Sequence, residues 1–255
     1  MHVVVIVPAH NEAAEIEGCL RSILAAADAA AADAGASPGL SVRIIAVADD
    51  CTDATLSIID RVAADRPEVI PLVVPYGNVG RARNAAGQLA LEWAAEGSGD
   101  PGAADLWLAF TDADSRVPTN WLTSHLEHAR RGADCVVGTV APRSEPGNAD
   151  LVSAWYSLHR LADDHDHVFG ANLGIRGSVF AAVGGCPPDS VGEDEALVAA
   201  VTSAGRVVHR TDDCRVITSA RLQGRCHGGF AAYLRDLVRD GHFERHLTVT
   251  SAREE

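Results

Sequence analysis

The stretch that decides the fold is LWLAFTDAD, residues 106–114, in which five apolar residues run directly into a polar segment. An unbroken apolar run of this length predicts a β-strand that is buried on both faces of a sheet. Asp112 and Asp114 follow the strand, and in an extended chain this spacing points both side chains the same way. Two neighbouring carboxylates repel unless a cation lies between them. The pair therefore indicates a site for Mg²⁺ or Mn²⁺, ions that bind one or two carboxylates together with substrate phosphates; on spacing alone, a solvated turn is the alternative.

Short apolar runs alternate with helical patterns on both sides of this strand. Further strands are predicted at Val3–Val7, Val42–Val47, Val69–Val74 and Cys135–Val140, and helices at Ala13–Ala32, Asp53–Ala64, Val79–Ala95 and Pro118–Arg130. This alternation favours an α/β domain with a mostly parallel sheet that is covered by helices on both faces. After Val140 the pattern loosens, and the predictions are helices at Leu151–Leu161, Gly177–Gly185, Glu193–Ala204 and Phe230–Arg239, and short strands at Val207–His209 and Val216–Thr218.

The composition excludes several classes of protein. The 255 residues include 35 acidic and 21 basic residues, all of the latter Arg, for a formal net charge of −14. Nucleic-acid and anionic-membrane binders depend on basic patches, so neither partner is expected. No apolar stretch reaches the roughly 20 residues of a membrane span, and no signal peptide is recognisable, which predicts a soluble, cytoplasmic protein. The six cysteines contain no CxxC pair and are expected to be reduced thiols.

Polar residues cluster at four successive predicted strand ends: PAHNE at 8–12, DDCTD at 49–53, GNVGRARN at 77–84 and TDAD at 111–114. In open α/β sheets, ligands bind beyond the carboxyl ends of the strands. Each cluster also has a structural explanation, such as Asp53 acting as a helix N-cap. The chain lacks GxxxxGK[ST], a GxGxxG after the first strand, and GxSxG. P-loop NTPases, dinucleotide oxidoreductases and α/β-hydrolases are therefore disfavoured.

These motifs, in this order, resemble family 2 glycosyltransferases of the GT-A fold. The likeness covers roughly residues 3–220 and continues in GANLGIR, residues 170–176, and in GED, residues 192–194. It implies an inverting, metal-dependent hexosyltransferase that moves a sugar from a UDP- or GDP-linked donor to an acceptor hydroxyl, with Mg²⁺ or Mn²⁺ as cofactor. It also implies a single domain with a donor half (1–115), an acceptor half (116–228) and a C-terminal helix and tail (229–255).

The resemblance assigns roles to individual residues. Asp194 becomes the general base and Glu193 a residue that positions the acceptor, although a charged first turn of a helix is the alternative for both. Asp114 becomes a metal ligand. The residues assigned to the nucleotide sugar are Pro8, Ala9, Glu12, Asp50, Asn78, Arg83, Asp112 and Ala113.

Asn172 belongs to the acceptor-side segment of the resemblance. Two further features are open to two interpretations each. The Gly-rich stretch 218–229 is either a surface loop or a lid, in which Arg221 or Arg225 folds over the diphosphate and His227 is a further metal ligand. The DDHDH cluster at 163–167 is either a solvated loop or an acceptor-side loop.

Two rival functions remain. A nucleotidyltransferase that makes an activated sugar needs a basic phosphate-binding loop near the N-terminus, and residues 8–12 contain neither Arg nor Lys. A non-catalytic nucleotide-sugar-binding module is disfavoured by the retention of Asp112, Asp114 and Asp194, because unpaired carboxylates are costly to bury. The donor sugar, the base, the acceptor and the oligomeric state stay open, with a homodimer among the alternatives.

Overall fold

The computed structural model describes residues 1–33, 39–96, 106–159, 161–187, 192–222 and 233–236. The strands are β1 (His2–Ala9), β2 (Ser41–Asp49), β3 (Val69–Val74), β4 (Leu106–Phe110), β5 (Ser115–Arg116), β6 (Cys135–Pro142), β7 (Leu173–Arg176) and β8 (Val208–Thr218). The helices are α1 (Ile16–Ala32), α2 (Thr55–Asp65), α3 (Val79–Glu96), α4 (Trp121–Arg130), α5 (Ala149–Leu158), α6 (Gly177–Ala182) and α7 (Glu193–Ser203).

All eight strands form one sheet in the order β3-β2-β1-β4-β7-β6-β8-β5. The pairs β3–β2, β2–β1 and β1–β4 are parallel, so the carboxyl ends of these four strands lie at one edge. β7 pairs antiparallel with both β4 and β6, and it joins this parallel half to the parallel pair β6–β8. The predicted α/β class with a mostly parallel sheet is confirmed.

Helices cover both faces of the sheet, which explains why its strands are apolar without interruption. In β1, Val3, Val5 and Val7 pack into the core on one face, while Val4 and Ile6 pack into the core on the other. In β4, Trp107 and Leu108 likewise enter opposite cores. Both faces of such a strand are buried and removed from water, so none of its positions favours a polar side chain.

The structure differs from the sequence prediction in the second half of the chain. The segments Val207–His209 and Val216–Thr218 are not separate strands; they belong to the single strand β8, which pairs with β6 across a register shift between Gly138 and Val140. The polar side chains inside β8 form hydrogen bonds, including one from the Thr211 hydroxyl to the Asp163 carboxylate at 3.1 Å. The strand β7 was not predicted, because its four residues include a glycine and an arginine.

The remaining differences concern the ends of elements. α5 ends at Leu158 because His159, which follows it, has an extended backbone. Most of the predicted helix Phe230–Arg239 lies outside the described residues, although residues 233–236 form a helical turn.

Within the described ranges, no helix has both the length and the apolar character of a transmembrane span, and the five described cysteines are free.

Candidate active site

Two carboxylates meet an arginine at the edge where β1 and β4 end. Arg221, which follows β8, donates to both oxygens of Glu12 at 2.8 and 2.5 Å and lies 3.0 Å from the Asp114 carboxylate. The Thr218 hydroxyl donates to Asp114 at 3.3 Å. Burial, together with the nearby charge of Asp112, raises the pKa of Asp114 to about 6, although Arg221 opposes the shift. The predicted metal ligand and the predicted lid arginine are thus in contact.

The ends of β2 and β3 are joined by a carboxylate whose role is structural. Asp49 is buried, and it accepts backbone hydrogen bonds of 2.7–2.8 Å from Tyr76, Gly77 and Asn78. Its neighbour Asp50 is exposed in a left-handed conformation with φ of 49°. Asp49 therefore shapes the loop that carries Asn78, while Asp50 faces solvent beside it. The Asn78 side chain accepts the Arg81 N–H at 2.8 Å at the start of α3.

Arg83 lies in the protein interior between two carboxylates. Its guanidinium donates to Asp112 at 2.6 Å and also pairs with Glu193; the Arg83 and Glu193 side chains are only 4% and 8% exposed. Burial acts to lower the pKa of Arg83, but Asp112 and Glu193 outweigh it and raise that pKa. Burial raises the pKa of Glu193, against the effect of Arg83. Arg83 therefore connects the donor half to the first turn of α7, in an ion pair that sequence reasoning missed.

Asp194 is held by backbone donors on two sides. Its carboxylate accepts the Gly170 N–H at 2.6 Å and the Glu195 N–H, in the first turn of α7, at 2.9 Å. Gly170 also packs on Arg83, since a Cβ there would lie 2.3 Å from the guanidinium, so any larger residue would displace that guanidinium. The Asp112 side chain is 40% exposed, but the protein atoms around its carboxylate partly desolvate it and raise its pKa; Arg83 lowers that pKa, and the Asp194 charge raises it further. Asp194 and Asp112 thus belong to one site.

The other residues assigned to the nucleotide sugar lie at the same edge of the sheet. Pro8 and Ala9 are the last two residues of β1, and Ala113 is buried between the two aspartates that follow β4. The Glu12 N–H donates to the Thr55 hydroxyl at 2.8 Å, which fixes the exit of β1 against α2.

Asn172 lies in the core rather than on the surface of the site. Its amide oxygen accepts from Trp121 Nε1 at 2.9 Å and lies 3.2 Å from His125 Nε2. Its amide nitrogen donates to the backbone carbonyls of Thr139 and Cys214, both at 2.9 Å. The side chain is fully buried, and its amide is hydrogen-bonded to protein partners, so the contacts that the structure gives Asn172 are structural ones.

Asn172→Ala is expected to lower the free energy of unfolding by about 2–4 kcal/mol, because it leaves a cavity and several buried polar groups without a partner. Denaturant unfolding measures this loss. Asn120→Ala is the matched control, since Asn120 is exposed and donates a single hydrogen bond to Asp213. Equal losses in the two variants would contradict the structural role of Asn172.

Two members of the Asp/His cluster at 163–167 attach this segment to the sheet. Asp163 accepts from the Thr211 hydroxyl at 3.1 Å and from the Asp212 backbone, both in β8. His165 is buried, with Nε2 3.2 Å from the Val137 carbonyl in β6. Across the described parts of the chain, no three His, Cys, Asp or Glu side chains converge to hold a metal ion. Arg225 and His227 lie outside the described residues.

The site nevertheless suits a divalent cation that a ligand helps to bind. Mg²⁺ is commonly held by one or two carboxylates, with substrate phosphates completing its coordination. Asp114, with Asp112 beside it, provides such a donor set, and the neighbouring Arg221 already shows that this position favours positive charge. The residues present therefore fit Mg²⁺ or Mn²⁺ bound together with a diphosphate.

Comparison with known proteins identifies relatives of this architecture. The family model described as glycosyl transferase family 2 matches residues 4–182. A sequence search of curated proteins finds no match. Residues 1–349 of TarS from S. aureus, solved with UDP-GlcNAc, superpose with a TM-score of 0.61 at 18% identity, covering 88% of this chain and 60% of that one.

Two further solved structures have the same fold. The mannosyltransferase PcManGT from Pyrobaculum calidifontis, in complex with GDP-Man and Mn²⁺, has a TM-score of 0.61 at 20% identity and covers 96% of this chain and 64% of its own. GalNAc-T7, solved with UDP, GalNAc and Mn²⁺, has a TM-score of 0.59 at 14% identity and covers 89% and 45%. The chain thus spans about 60% of the length of the first of these structures. These likenesses confirm the predicted GT-A fold.

Proposed function

The chain belongs to glycosyl transferase family 2, and from that premise we propose that it transfers a sugar from a nucleotide-diphosphate donor to an acceptor hydroxyl. The observation that carries the proposal is the meeting of acidic and basic side chains where the parallel strands end. Glu12 and Asp114 share Arg221, while Asp112 and Glu193 share Arg83. The similar structures solved with UDP-GlcNAc, with GDP-Man and with UDP support a donor of this class.

The donor lies at the ends of β1 to β4 in this proposal. Ala9, Glu12 and Asp50 line the base and ribose, and Asn78 follows them at the start of α3. Asp114, with Asp112, would hold Mg²⁺ or Mn²⁺, which when bound would supply positive charge against the leaving diphosphate. Arg221 is the arginine best placed to bind the diphosphate, because its planar fork already makes a bidentate contact with Glu12. Arg83 has the different task of orienting Asp112.

Asp194 is the general base of the proposed reaction. A carboxylate oxygen of Asp194 takes the proton of the acceptor hydroxyl as that oxygen bonds to the anomeric carbon of the donor. The bond from the anomeric carbon to the diphosphate breaks, and the diphosphate leaves with its electron pair. A single displacement of this kind inverts the anomeric centre. The Gly170 and Glu195 N–H groups fix the carboxylate in place. This supports the assignment of Asp194, because a general base must be positioned before the substrate arrives.

Donor binding is expected to depend on Asp114. Wild-type protein should be stabilised by UDP or by GDP in the presence of Mn²⁺, by about 2.7 kcal/mol at a hundredfold excess over Kd. Asp114→Ala should lose the Mn²⁺-dependent part of this thermal shift, because the substitution removes a metal ligand. Asp60→Ala, at an exposed position on α2, should keep it. An undiminished Mn²⁺-dependent shift in Asp114→Ala would contradict the role given to Asp114, and the absence of a shift with every nucleotide would contradict the donor site.

A further inference from the structure

Arg221 bridges two acidic side chains from distant parts of the chain, and we name Arg221, Glu12 and Asp114 together the Arg221 triad. The guanidinium nitrogen Nη2 lies 2.5 Å from Glu12 Oε1 and 3.0 Å from Asp114 Oδ2, and Nη1 donates to Glu12 Oε2 at 2.8 Å. The side chains of Glu12, Asp114 and Arg221 are 7%, 14% and 28% exposed. The triad is therefore a largely buried ion pair, in which water and salt screen the attraction only weakly.

Both carboxylate oxygens of Asp114 are in contact with protein donors. Arg221 Nη2 contacts Oδ2, and the Thr218 hydroxyl donates to Oδ1 at 3.3 Å. A magnesium ion lies about 2.0–2.1 Å from each oxygen that binds it, and its charge repels a guanidinium that holds the same carboxylate. Arg221 and a divalent ion therefore compete for Asp114.

Of the two arginines in the site, Arg221 is the one that can move. Arg83 lies within α3, and its side chain is 4% exposed between Asp112 and Glu193. Arg221 follows the end of β8 and belongs to no helix or strand. Its N–H donates to the Ser219 hydroxyl at 3.3 Å, a contact within the same segment. Arg221 can therefore change partners without breaking the hydrogen bonds of a helix or of the sheet.

We infer that Arg221 is an internal cation that closes Asp114 to a divalent ion until a diphosphate draws the guanidinium away. The planar fork that now binds both oxygens of Glu12 has the geometry to bind two phosphate oxygens. Once the guanidinium contacts phosphate, Asp114 has lost its competing cation. Diphosphate and divalent ion then each raise the affinity for the other, because such coupling is reciprocal. The inference rests on the proposed function, which supplies the diphosphate.

The first test measures Mn²⁺ binding without any nucleotide, by the paramagnetic resonance signal of the free ion. Arg221→Gln is expected to lower the Kd for Mn²⁺ about tenfold, because the competing cation is gone. Asp114→Ala measures the Mn²⁺ that binds elsewhere on a chain with a formal net charge of −14, and this part is subtracted. Arg143→Gln is the matched control, since Arg143 binds both oxygens of Glu15 and is 26% exposed. It should keep the wild-type Kd.

The second test repeats the titration with a saturating concentration of UDP or GDP, whichever the protein binds. In the wild type, the nucleotide should lower the Kd for Mn²⁺ to about the value that Arg221→Gln has with the same nucleotide. The nucleotide should therefore change the Kd for Mn²⁺ about tenfold less in Arg221→Gln than in the wild type.

A double variant removes the cost of leaving Glu12 buried without its cation. Arg221→Gln/Glu12→Gln loses one positive and one negative charge, so the net charge and the general field of the site are conserved. An isolated buried carboxylate, which would destabilise the fold, is avoided. The double variant should also bind Mn²⁺ more tightly than the wild type when no nucleotide is present, because Asp114 is again without a competing cation.

The inference would be overturned if neither Arg221 variant bound Mn²⁺ more tightly than the wild type without nucleotide. It would also be overturned if Arg143→Gln showed the same gain as Arg221→Gln, or if the nucleotide changed the Kd for Mn²⁺ equally in the wild type and in Arg221→Gln. Each of these results leaves nucleotide binding, and with it the proposed function, intact. A protein that binds neither UDP nor GDP would instead contradict the proposed function, so the two failures are distinguishable.

Discussion

Asp194→Asn is expected to lower kcat for sugar transfer about a thousandfold, the loss that follows removal of a positioned general base. The amide is isosteric with the carboxylate and keeps one oxygen to accept the Gly170 or Glu195 N–H. It cannot accept the proton of the acceptor hydroxyl at neutral pH. The variant should therefore fold normally and bind the nucleotide donor with unchanged affinity. Steady-state kinetics on the variant, together with a donor titration, separates the two effects.

Glu195→Gln is the matched control for this experiment. Glu195 lies in the same first turn of α7, is exposed, and carries the same charge. Removing that charge alters the electrostatics of the helix N-terminus as much as Asp194→Asn does, yet it should leave kcat close to the wild-type value. If Asp194→Asn retained a kcat within about tenfold of wild type, the general base would have to be sought elsewhere.

Arg83→Met is expected to give the largest loss of stability, about 3–5 kcal/mol, because it removes one partner of a buried ion pair. Glu193 would remain buried without its cation, and Asp112 would lose the contact that orients it. Denaturant unfolding measures the change in stability. Arg21→Met is the control, since Arg21 pairs with Glu17 on the surface of α1 and should contribute almost nothing.

A second substitution distinguishes a lost ion pair from lost packing. In Arg83→Met/Glu193→Leu the buried carboxylate is removed together with its partner, and most of the stability should return, as is observed when buried pairs are replaced by apolar side chains. The double variant should still be poor in donor binding, because Asp112 is not restored to its position. If the single variant Arg83→Met were as stable as wild type, Arg83 would not connect the two halves of the site as described.

The parallel half of the sheet could be predicted from the sequence because both of its faces are buried. Val3–Val7 and Leu106–Phe110 are unbroken apolar runs, and this pattern indicates a doubly covered strand without any knowledge of its neighbours. β7 and β8 could not be predicted in the same way. The glycine and arginine of β7 and the polar middle of β8 are stabilised by contacts with distant segments, such as the Asp163 carboxylate. Such tertiary contacts override local preference.

The candidate site likewise contains residues that could be predicted from the sequence and contacts between them that could not. Glu12, Asp112 and Asp114 could be predicted from their places just after β1 and β4, whereas Glu193 and Asp194 were predicted only from the resemblance to family 2 glycosyltransferases. The partners of these carboxylates could not be read from the sequence. Arg83 and Glu193 are 110 residues apart in the chain, and Arg221 lies 209 residues from Glu12. The burial of Asn172 was equally hidden, since a polar residue in a glycine-rich segment resembles a surface loop.

The central claim is that the clustered carboxylates serve sugar transfer from a nucleotide-diphosphate donor. The most direct measurement is the release of UDP or GDP from a panel of nucleotide sugars by the wild type and by Asp194→Asn, with Mn²⁺ present and with methyl glycosides of glucose, mannose and galactose as acceptor probes. The account predicts release from donors of one base by the wild type, with formation of a glycoside of inverted anomeric configuration, and about a thousandfold less by the variant. No release from any donor, or equal release by both proteins, would contradict it.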